Sequence, residues 1–289
     1  VLRVLALTVI LFVCFAVAGA VIGLQDSSQP AEQSGAAALL LLAVCFLDSA
    51  VLTHVILRSR WAGWKLIATV AFVFYGVTTF MGQIETAVFV TRLPSGVLPR
   101  FFLMGALISA PFAVLAVLIL GRRKAGADTE TNSRLIMPAK EWAWKLAVIA
   151  IVYVILYFGF GYFIAWQNPA VREYYGGQDE GSFLAHMAAV QRDTPWLIPF
   201  QMLRAMLWVA IALPVVRMMK GPWQETALAL GLLFGVVMNA QLLLPNVYMP
   251  EPVRMTHLIE TASSNFIFGF FIGWLLTHRF TQLRLKLAR

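Results

Sequence analysis

A short polar stretch, residues 257–266, contains the side chains of this chain that are best suited to chemistry. It stands at the start of a long apolar run. In this stretch His257, Glu260 and Ser264 stand three and seven residues apart, which places them on one face of a helix. Imidazole, carboxylate and hydroxyl groups can exchange protons, bind a polar solute or hold a metal ion. Their role depends on the elements that position them.

The composition is that of a membrane protein. Hydrophobic residues make up 60% of the 289 residues and charged residues 12%, whereas a soluble domain is about half apolar and a quarter charged. A helix that crosses a bilayer needs about 20 mostly apolar residues. We therefore expect an all-α polytopic membrane protein, a bundle of eight transmembrane helices in a single domain of residues 1–289. The predicted spans are roughly 4–24, 36–57, 65–90, 101–121, 143–166, 196–216, 225–245 and 257–277.

Basic residues are divided unevenly between the two sets of connections. Of the 22 Lys and Arg residues, 16 lie in the set that includes both termini and the linker 122–142, five lie in the other set, and Arg204 lies inside a span. Cytoplasmic loops are enriched in Lys and Arg. This predicts cytoplasmic termini and a place in the cytoplasmic (inner) membrane of a bacterium or a similar membrane. The net charge of +8 thus reflects topology, so we expect the lipid bilayer and no nucleic acid as a partner.

Polar residues from four spans fall at a similar depth on the predicted outer side, at a rise of about 1.5 Å per residue. An ionised side chain inside a bilayer is costly, so such groups tend to pair. Arg204 can neutralise either Glu85 or Glu260, and the other acid must be protonated, paired with His257 or bound to a cation. We expect an outward-facing polar pocket, whose predicted binding residues are Glu85, Gln201, Arg204, Asn239, His257, Glu260 and Ser264.

Asp48 stands apart from this set, near the middle of the second span, and no basic residue of the other spans matches its depth. Such an isolated acid favours its neutral form. It is predicted either to relay protons or cations, or to be a protonated carboxyl group that hydrogen-bonds a neighbouring helix.

The long outward connection, residues 167–195, contains SFLAHMAAVQR, which is compatible with a short helix at the membrane surface. Two GxxxG spacings, Gly231–Gly235 and Gly269–Gly273, favour close packing of helices. Such packing could lie within the chain, or join it to partner subunits or to a second copy.

Three functions fit these features, and the sequence does not decide whether the protein is an enzyme. The first is transport or binding of a small polar or charged solute, with proton coupling as an option. The second is a metal-dependent enzyme that acts on a lipid or lipid-linked substrate at the outer leaflet. Its cofactor would be a divalent metal held by Glu85, His257 and Glu260, with His186 as a further candidate ligand. The third is a non-catalytic subunit of a membrane complex.

Overall fold

The computed structural model describes residues 1–23, 31–90, 93–124, 134–179 and 181–278, without the side chains of residues 31–34. In these ranges the chain is helical, with one isolated bridge between Ser59 and Met219. Eight helical segments are long and apolar enough to cross a membrane, which confirms the predicted fold class. These spans 1 to 8 are Leu2–Ile22, Gly35–Leu57, Gly63–Phe89, Val97–Ile119, Ala139–Ala165, Leu197–Met218, Trp223–Leu243 and Glu251–Thr277.

The helices are numbered in chain order, and some spans are built from more than one element. The α-helices are α1 (Leu2–Ile22), α2 (Ala31–Leu57), α3 (Gly63–Tyr75), α4 (Met81–Phe89), α5 (Val97–Ile119), α6 (Ala139–Phe160), α7 (Pro169–Tyr175), α8 (Phe183–Asp193), α9 (Leu197–Met218), α10 (Trp223–Leu232) and α11 (Glu251–Thr277). Helices α3 and α4 together form span 3, whereas α7 and α8 lie in the connection between spans 5 and 6.

The outer surface of the bundle is apolar. On α1, Val9, Val13 and Val17 are spaced four residues apart, so they form one stripe, and each of them is exposed. An apolar stripe of this kind is unfavourable in water and suits contact with lipid tails, because transfer of apolar surface out of water is favourable. The exposed faces therefore agree with an integral membrane protein.

Successive spans alternate in direction, which creates two distinct ends. The start of α1 meets the end of span 4, where Arg3 hydrogen-bonds the Leu120 carbonyl at 3.4 Å. The start of α6 meets the end of α11, where the Lys145 ammonium donates to the His278 carbonyl at 2.6 Å. We call this the basic end, and we call the other the opposite end. Cytoplasmic placement of the basic end stays a prediction.

Some of the basic residues used to predict the topology lie outside the described part of the chain. They are Arg92 and those of residues 279–289 after the last span. Residues 125–133 of the linker, which contain no Lys or Arg, lie outside it as well.

Two short helices occupy the connection at the opposite end. The predicted surface helix is present as α8, and its N-terminus is capped by the Ser182 hydroxyl. Helix α7 was not predicted. It begins after Asn168, whose side chain accepts a hydrogen bond from the backbone N–H of Ala170, and it ends at Gly176, which has a positive φ of 70°. This helix brings Tyr175 to the edge of the bundle interior.

Spans 3, 5 and 7 each contain a π turn, in which a backbone N–H bonds the carbonyl five residues earlier. These turns are Gly76–Phe80, Gly161–Ala165 and Leu233–Val237. The N–H of Trp166, for example, donates to the Gly161 carbonyl at 2.7 Å. A π turn adds one residue to a helix and shifts the direction of the side chains that follow, and it is often found at functional sites.

Spans 7 and 8 pack closely through their glycines, as the GxxxG spacings predict. A Cβ atom on Gly269 would lie 2.4 Å from the Leu230 carbonyl oxygen, and one on Gly273 would lie 2.4 Å from the Ala227 Cα. A methyl group does not fit at such distances. These glycine faces are therefore used inside the chain.

Candidate functional site

Arg204 is the centre of the first ion pair of the site. It lies seven residues into α9, about 10 Å from the opposite end, and only 1% of it is exposed. Its Nη1 atom lies 2.5 Å from Oε1 of Glu85 on α4 and 2.9 Å from Oε1 of Gln201. The predicted pairing of Arg204 with a carboxylate of another span is therefore present, and Glu85 is the partner.

The second pair lies on α11. It consists of Glu260, the acid that does not pair with Arg204, and His257. The His257 Nδ1 atom lies 2.7 Å from Oε2 of Glu260, which is 7% exposed. The other ring nitrogen, Nε2, lies 3.1 Å from the hydroxyl oxygen of Tyr175 on α7. Both nitrogens of the imidazole, whose side chain is 17% exposed, therefore have hydrogen-bond partners.

These two pairs form one electrostatic unit, which we call the charged cluster and define as Glu85, Arg204, His257 and Glu260. The electrostatic interactions of His257 extend to both acids of the cluster. The buried phenol of Tyr157 on α6 interacts with Arg204 and both acids. The cluster thus draws on spans 3, 6 and 8, with span 5 beside it.

Tyr175 keeps its proton in this setting. Burial is the main cause that raises the pKa of its phenol, and the nearby Glu85 raises it further. A neutral phenol can either donate or accept a hydrogen bond. When His257 is neutral and carries its proton on Nδ1, it donates to Glu260 and Nε2 accepts from Tyr175. When His257 is protonated, both nitrogens donate and the phenol oxygen accepts.

The net charge of the cluster depends on that single proton. With ionised acids, Arg204 and a neutral His257 leave the cluster at −1, and protonation of His257 brings it to zero. Hydrogen bonds are kept in both states, so the geometry tolerates the change. A buried group that remains satisfied in two protonation states is suited to bind and release a proton.

The π turns lie close to the cluster. Glu85 follows the π turn of span 3 by five residues. The π turn of span 5 begins at Gly161, where an added Cβ would lie 3.7 Å from Oε1 of Glu260. This distance is an ordinary van der Waals contact, so an alanine would also fit at this position and Gly161 does not by itself indicate the irregular turn.

Asn239 and Ser264 have different neighbours from the ones predicted. The Asn239 amide nitrogen donates to the carbonyls of Phe234 and Gly235, and its oxygen accepts from Thr261 at 2.6 Å. The Ser264 hydroxyl makes a long contact of 3.4 Å with the Thr261 carbonyl. The bond between Thr261 and Asn239 joins α11 to span 7 just after the π turn. Of the predicted uncharged residues, Gln201 alone hydrogen-bonds a member of the cluster in the part of the chain that the structure describes.

The predicted metal ligands do not gather into a metal-binding group. In the described ranges no set of three or more His, Cys, Asp or Glu side chains is arranged to hold an ion. Glu85 faces Arg204, and His257 already bonds Glu260 and Tyr175. The further candidate, His186, packs against the rings of Tyr162 and Trp166. The geometry favours ion pairing over metal coordination here.

Asp48 is fully buried on α2, and no hydrogen bond or ion pair joins it to the charged cluster in the described residues. Both of its carboxylate oxygens lack a hydrogen-bond partner there. Helix α2 packs against α1 and against span 7, including its π turn. Its predicted role as a proton relay stays a prediction.

A cavity of about 240 Å³ lies on the other side of α4 from Arg204. None of the residues that line it is an acid or a basic residue. Its polar lining comes from three threonines, three carboxamides and two tyrosines: Thr78, Thr79, Thr86, Gln83, Gln241, Asn246, Tyr174 and Tyr248. The sequence does not indicate this cavity. Its lining comes from α1, spans 3 and 4, α7, the end of span 7 and the segment that follows it, and the sequence does not show these elements to be neighbours.

Comparisons of the chain with protein-family models, curated proteins and solved structures find no match. Since a fold class alone does not specify a function, the site carries the functional argument.

Proposed function

We propose that the protein is a proton-coupled transporter of a small polar solute and that the charged cluster is its proton-binding site. The main support is that two acids share one arginine and one histidine in a cluster built from three spans, in which Arg204 and Glu260 are buried and Glu85 and His257 are partly exposed. A cluster with two acids and a single permanent positive charge can take up a proton and become neutral.

The change of one unit of charge has a large energetic consequence in this place. Charges interact more strongly where water is excluded, and a net charge inside a bilayer is unfavourable. Protonation of the cluster would therefore stabilise a closed, dehydrated state, and loss of the proton would favour a state that admits water or solute. Differential stability of two states is what coupling requires.

Interrupted spans support a transporter over a purely structural bundle. Spans 3, 5 and 7 contain π turns, and span 7 continues beyond its π turn only as the short 3₁₀ turn Ala240–Leu243. Transporters commonly build their sites at discontinuous helices, where the backbone can rearrange. If the basic end faces the cytoplasm, as its Lys and Arg content predicts, the cluster takes its proton from the outer side.

The proposal is tested by recording charge movement in proteoliposomes on a solid-supported membrane. Neutral, zwitterionic and cationic solutes are applied with and without an inward proton gradient. The wild-type protein is expected to give a transient current with at least one solute class, and the gradient is expected to increase it. Glu260→Gln should abolish the gradient-dependent part, because it removes the acid that holds the His257 proton.

Glu225→Gln is the matched control. Glu225 pairs with Arg58 at the basic end and is not part of the cluster, so the same chemical change there should leave the current intact. Loss of the current in both variants would indicate a general loss of structure. A gradient-dependent current that survives in Glu260→Gln, or no current with any solute in the wild-type protein, would contradict the proposal.

A further inference from the structure

We propose that the cavity beside α4 binds an uncharged solute that carries several hydrogen-bond donors. The cavity measures about 240 Å³, whereas a single water molecule needs only about 10–15 Å³ of such space. It therefore has room for a small organic molecule. The inference identifies the solute class of the proposed transporter and rests on that function for transport, although binding can be measured without it.

Three side chains of the cavity can accept hydrogen bonds from a ligand, and the carboxamides of Gln83, Gln241 and Asn246 can also donate. The Thr78 hydroxyl donates its proton to the Phe74 carbonyl at 2.7 Å, and the Thr86 hydroxyl donates to the Gly82 carbonyl at 3.1 Å. Their oxygen lone pairs are left to accept. The buried Oε1 atom of Gln83 has no hydrogen-bond partner in the described residues. A ligand with O–H or N–H groups would satisfy these acceptors.

The remaining walls are aromatic or apolar and come from other elements. Phe74 and Phe101 line the cavity from spans 3 and 4, and Phe15 lines it from α1. The Tyr248 ring packs edge-on against Phe101, at 6.2 Å between ring centroids. Small-molecule sites typically combine such apolar walls with a few polar groups that fix orientation.

A charged solute does not fit this lining. None of the residues around the cavity carries an acid or a basic group, and transfer of an ion out of water without a partner is strongly unfavourable. The nearest turn of α4 does carry Glu85, but that carboxylate is paired with Arg204. The sequence predicts a single charged binding pocket. We infer two sites instead, the charged cluster and an uncharged cavity.

Helix α4 connects the two sites. Gln83 and Thr86 face the cavity, and Glu85 between them reaches Arg204. Any movement of this helix turn on ligand binding would change the Glu85–Arg204 contact. A solute in the cavity can therefore bias the protonation of the cluster without contacting it.

Binding is measured by thermal-shift and calorimetric titration of the purified protein in nanodiscs. The neutral probes are glycerol, glucose, myo-inositol and benzamide. Their charged counterparts are gluconate, glucosamine and benzoate, and decanol represents an apolar lipid-like occupant. At least one neutral probe is expected to bind, and its charged counterparts are expected to bind at least tenfold more weakly. Preference for a charged probe or for decanol, or no binding by any neutral probe, would overturn the inference.

Variants of residues that line the cavity test whether the probe binds there. Gln83→Leu and Thr86→Val should each weaken binding by about 3- to 10-fold, since each removes an acceptor for one hydrogen bond. Thr69→Val is the matched control, because Thr69 makes the same type of bond to the carbonyl four residues earlier, at 2.8 Å, but lies outside the cavity. Equal affinities in all three variants would place the binding elsewhere and overturn the inference.

Glu260→Gln separates this inference from the proposed function. This variant is expected to bind the neutral probe but to show no gradient-dependent current. If the probe binds at the cavity and wild-type currents do not depend on protons, the proposed function fails and the site stands. If proton-dependent currents are carried only by charged solutes, the site fails and the proposed function stands.

Discussion

The two ends of the bundle hold their charges in different ways. At the basic end, cationic side chains stabilise the segments between spans by donating hydrogen bonds to backbone carbonyls. Arg134 donates to the carbonyls of Met219 and Gly221, and Lys145 donates to that of His278. In the charged cluster near the opposite end, side chains pair with side chains. The basic end also contains side-chain pairs, such as Lys145 with Glu141 at 2.8 Å and Arg58 with Glu225. Each of these acids has a permanent cation as its partner, whereas the cluster holds two acids for one permanent cation, so its net charge depends on a proton.

Burial separates the Arg58–Glu225 pair from the Arg204–Glu85 pair, although the Lys145–Glu141 pair at the basic end is buried as well. The Arg58 side chain, which pairs with Glu225 at the basic end, is 45% exposed, whereas that of Arg204 is 2% exposed. Exposed ion pairs contribute little because water and salt screen them. A buried pair depends on its partner, because loss of one member leaves an uncompensated charge. We therefore expect removal of a buried contact to lower stability more than removal of an exposed one.

The largest effect is expected for Arg204→Met, which leaves Glu85 without its counter-charge. The variant should lose about 3 kcal/mol of stability, the lower end for a broken buried pair because Glu85 is 31% exposed. Unfolding in mixed detergent micelles measures it. The double variant with Glu85→Met should recover most of the loss, whereas a loss below about 1 kcal/mol in the single variant would mean that the pair behaves like an exposed one.

A smaller effect is expected for Arg134→Met at the basic end. Arg134 also donates to the Thr226 hydroxyl at 2.8 Å, so the variant loses several charge-assisted hydrogen bonds and about 2 kcal/mol of stability. The same unfolding assay detects this loss. Gradient-dependent currents in the folded fraction should equal those of the wild-type protein, and their selective loss would remove the distinction between the two ends.

Tyr175→Phe removes one hydrogen bond to His257 and should lower stability by about 1 kcal/mol. Because a hydrogen bond donated by the charged imidazolium is stronger than one accepted by the neutral ring, loss of this bond should also change the pH profile of the proton-dependent current. Tyr162→Phe is the control, since the Tyr162 hydroxyl makes only a long contact of 3.4 Å with the Gly181 carbonyl. Identical pH profiles for both variants would exclude a role of Tyr175 in the proton site.

The smallest effect is expected for Arg58→Met. Its guanidinium Nη2 atom lies 2.7 Å from Oε2 of Glu225, but the arginine is largely solvated. The loss should be less than about 1 kcal/mol and should vanish in high salt. Unfolding at low and high ionic strength checks this. A loss as large as that of Arg204→Met would show that the exposed pair contributes as much to stability as the buried pair.

The fold could be predicted from composition because eight apolar runs leave little alternative in a bilayer. The charged cluster could be predicted in part for a similar reason, since Arg204 inside a span needs an acid at its own depth, and Glu85 and Glu260 stand at that depth. Sequence spacing also favoured the neighbouring positions of His257 and Glu260, which one turn of a helix brings together.

Other features depend on contacts that spacing does not encode. Tyr175 reaches His257 only because α7, an unpredicted helix of seven residues, folds back onto the bundle. The choice of Glu85 over Glu260 as the partner of Arg204 depends on how α4 and α9 pack. The π turn at Gly76–Phe80 shifts the faces of span 3. A regular helix period places Thr78 and Glu85, seven residues apart, on one face, so it cannot separate the cavity residue Thr78 from the cluster residue Glu85.

The central claim, that the cluster exchanges a proton, is tested most directly by NMR of histidine-labelled protein in nanodiscs. The chain has four histidines, so His257→Gln assigns the relevant signal. Between about pH 8 and pH 5, His257 is expected to change from the neutral form protonated on Nδ1 to the doubly protonated form, with both hydrogen bonds retained. A His257 signal that keeps one protonation state over this whole range would contradict the account.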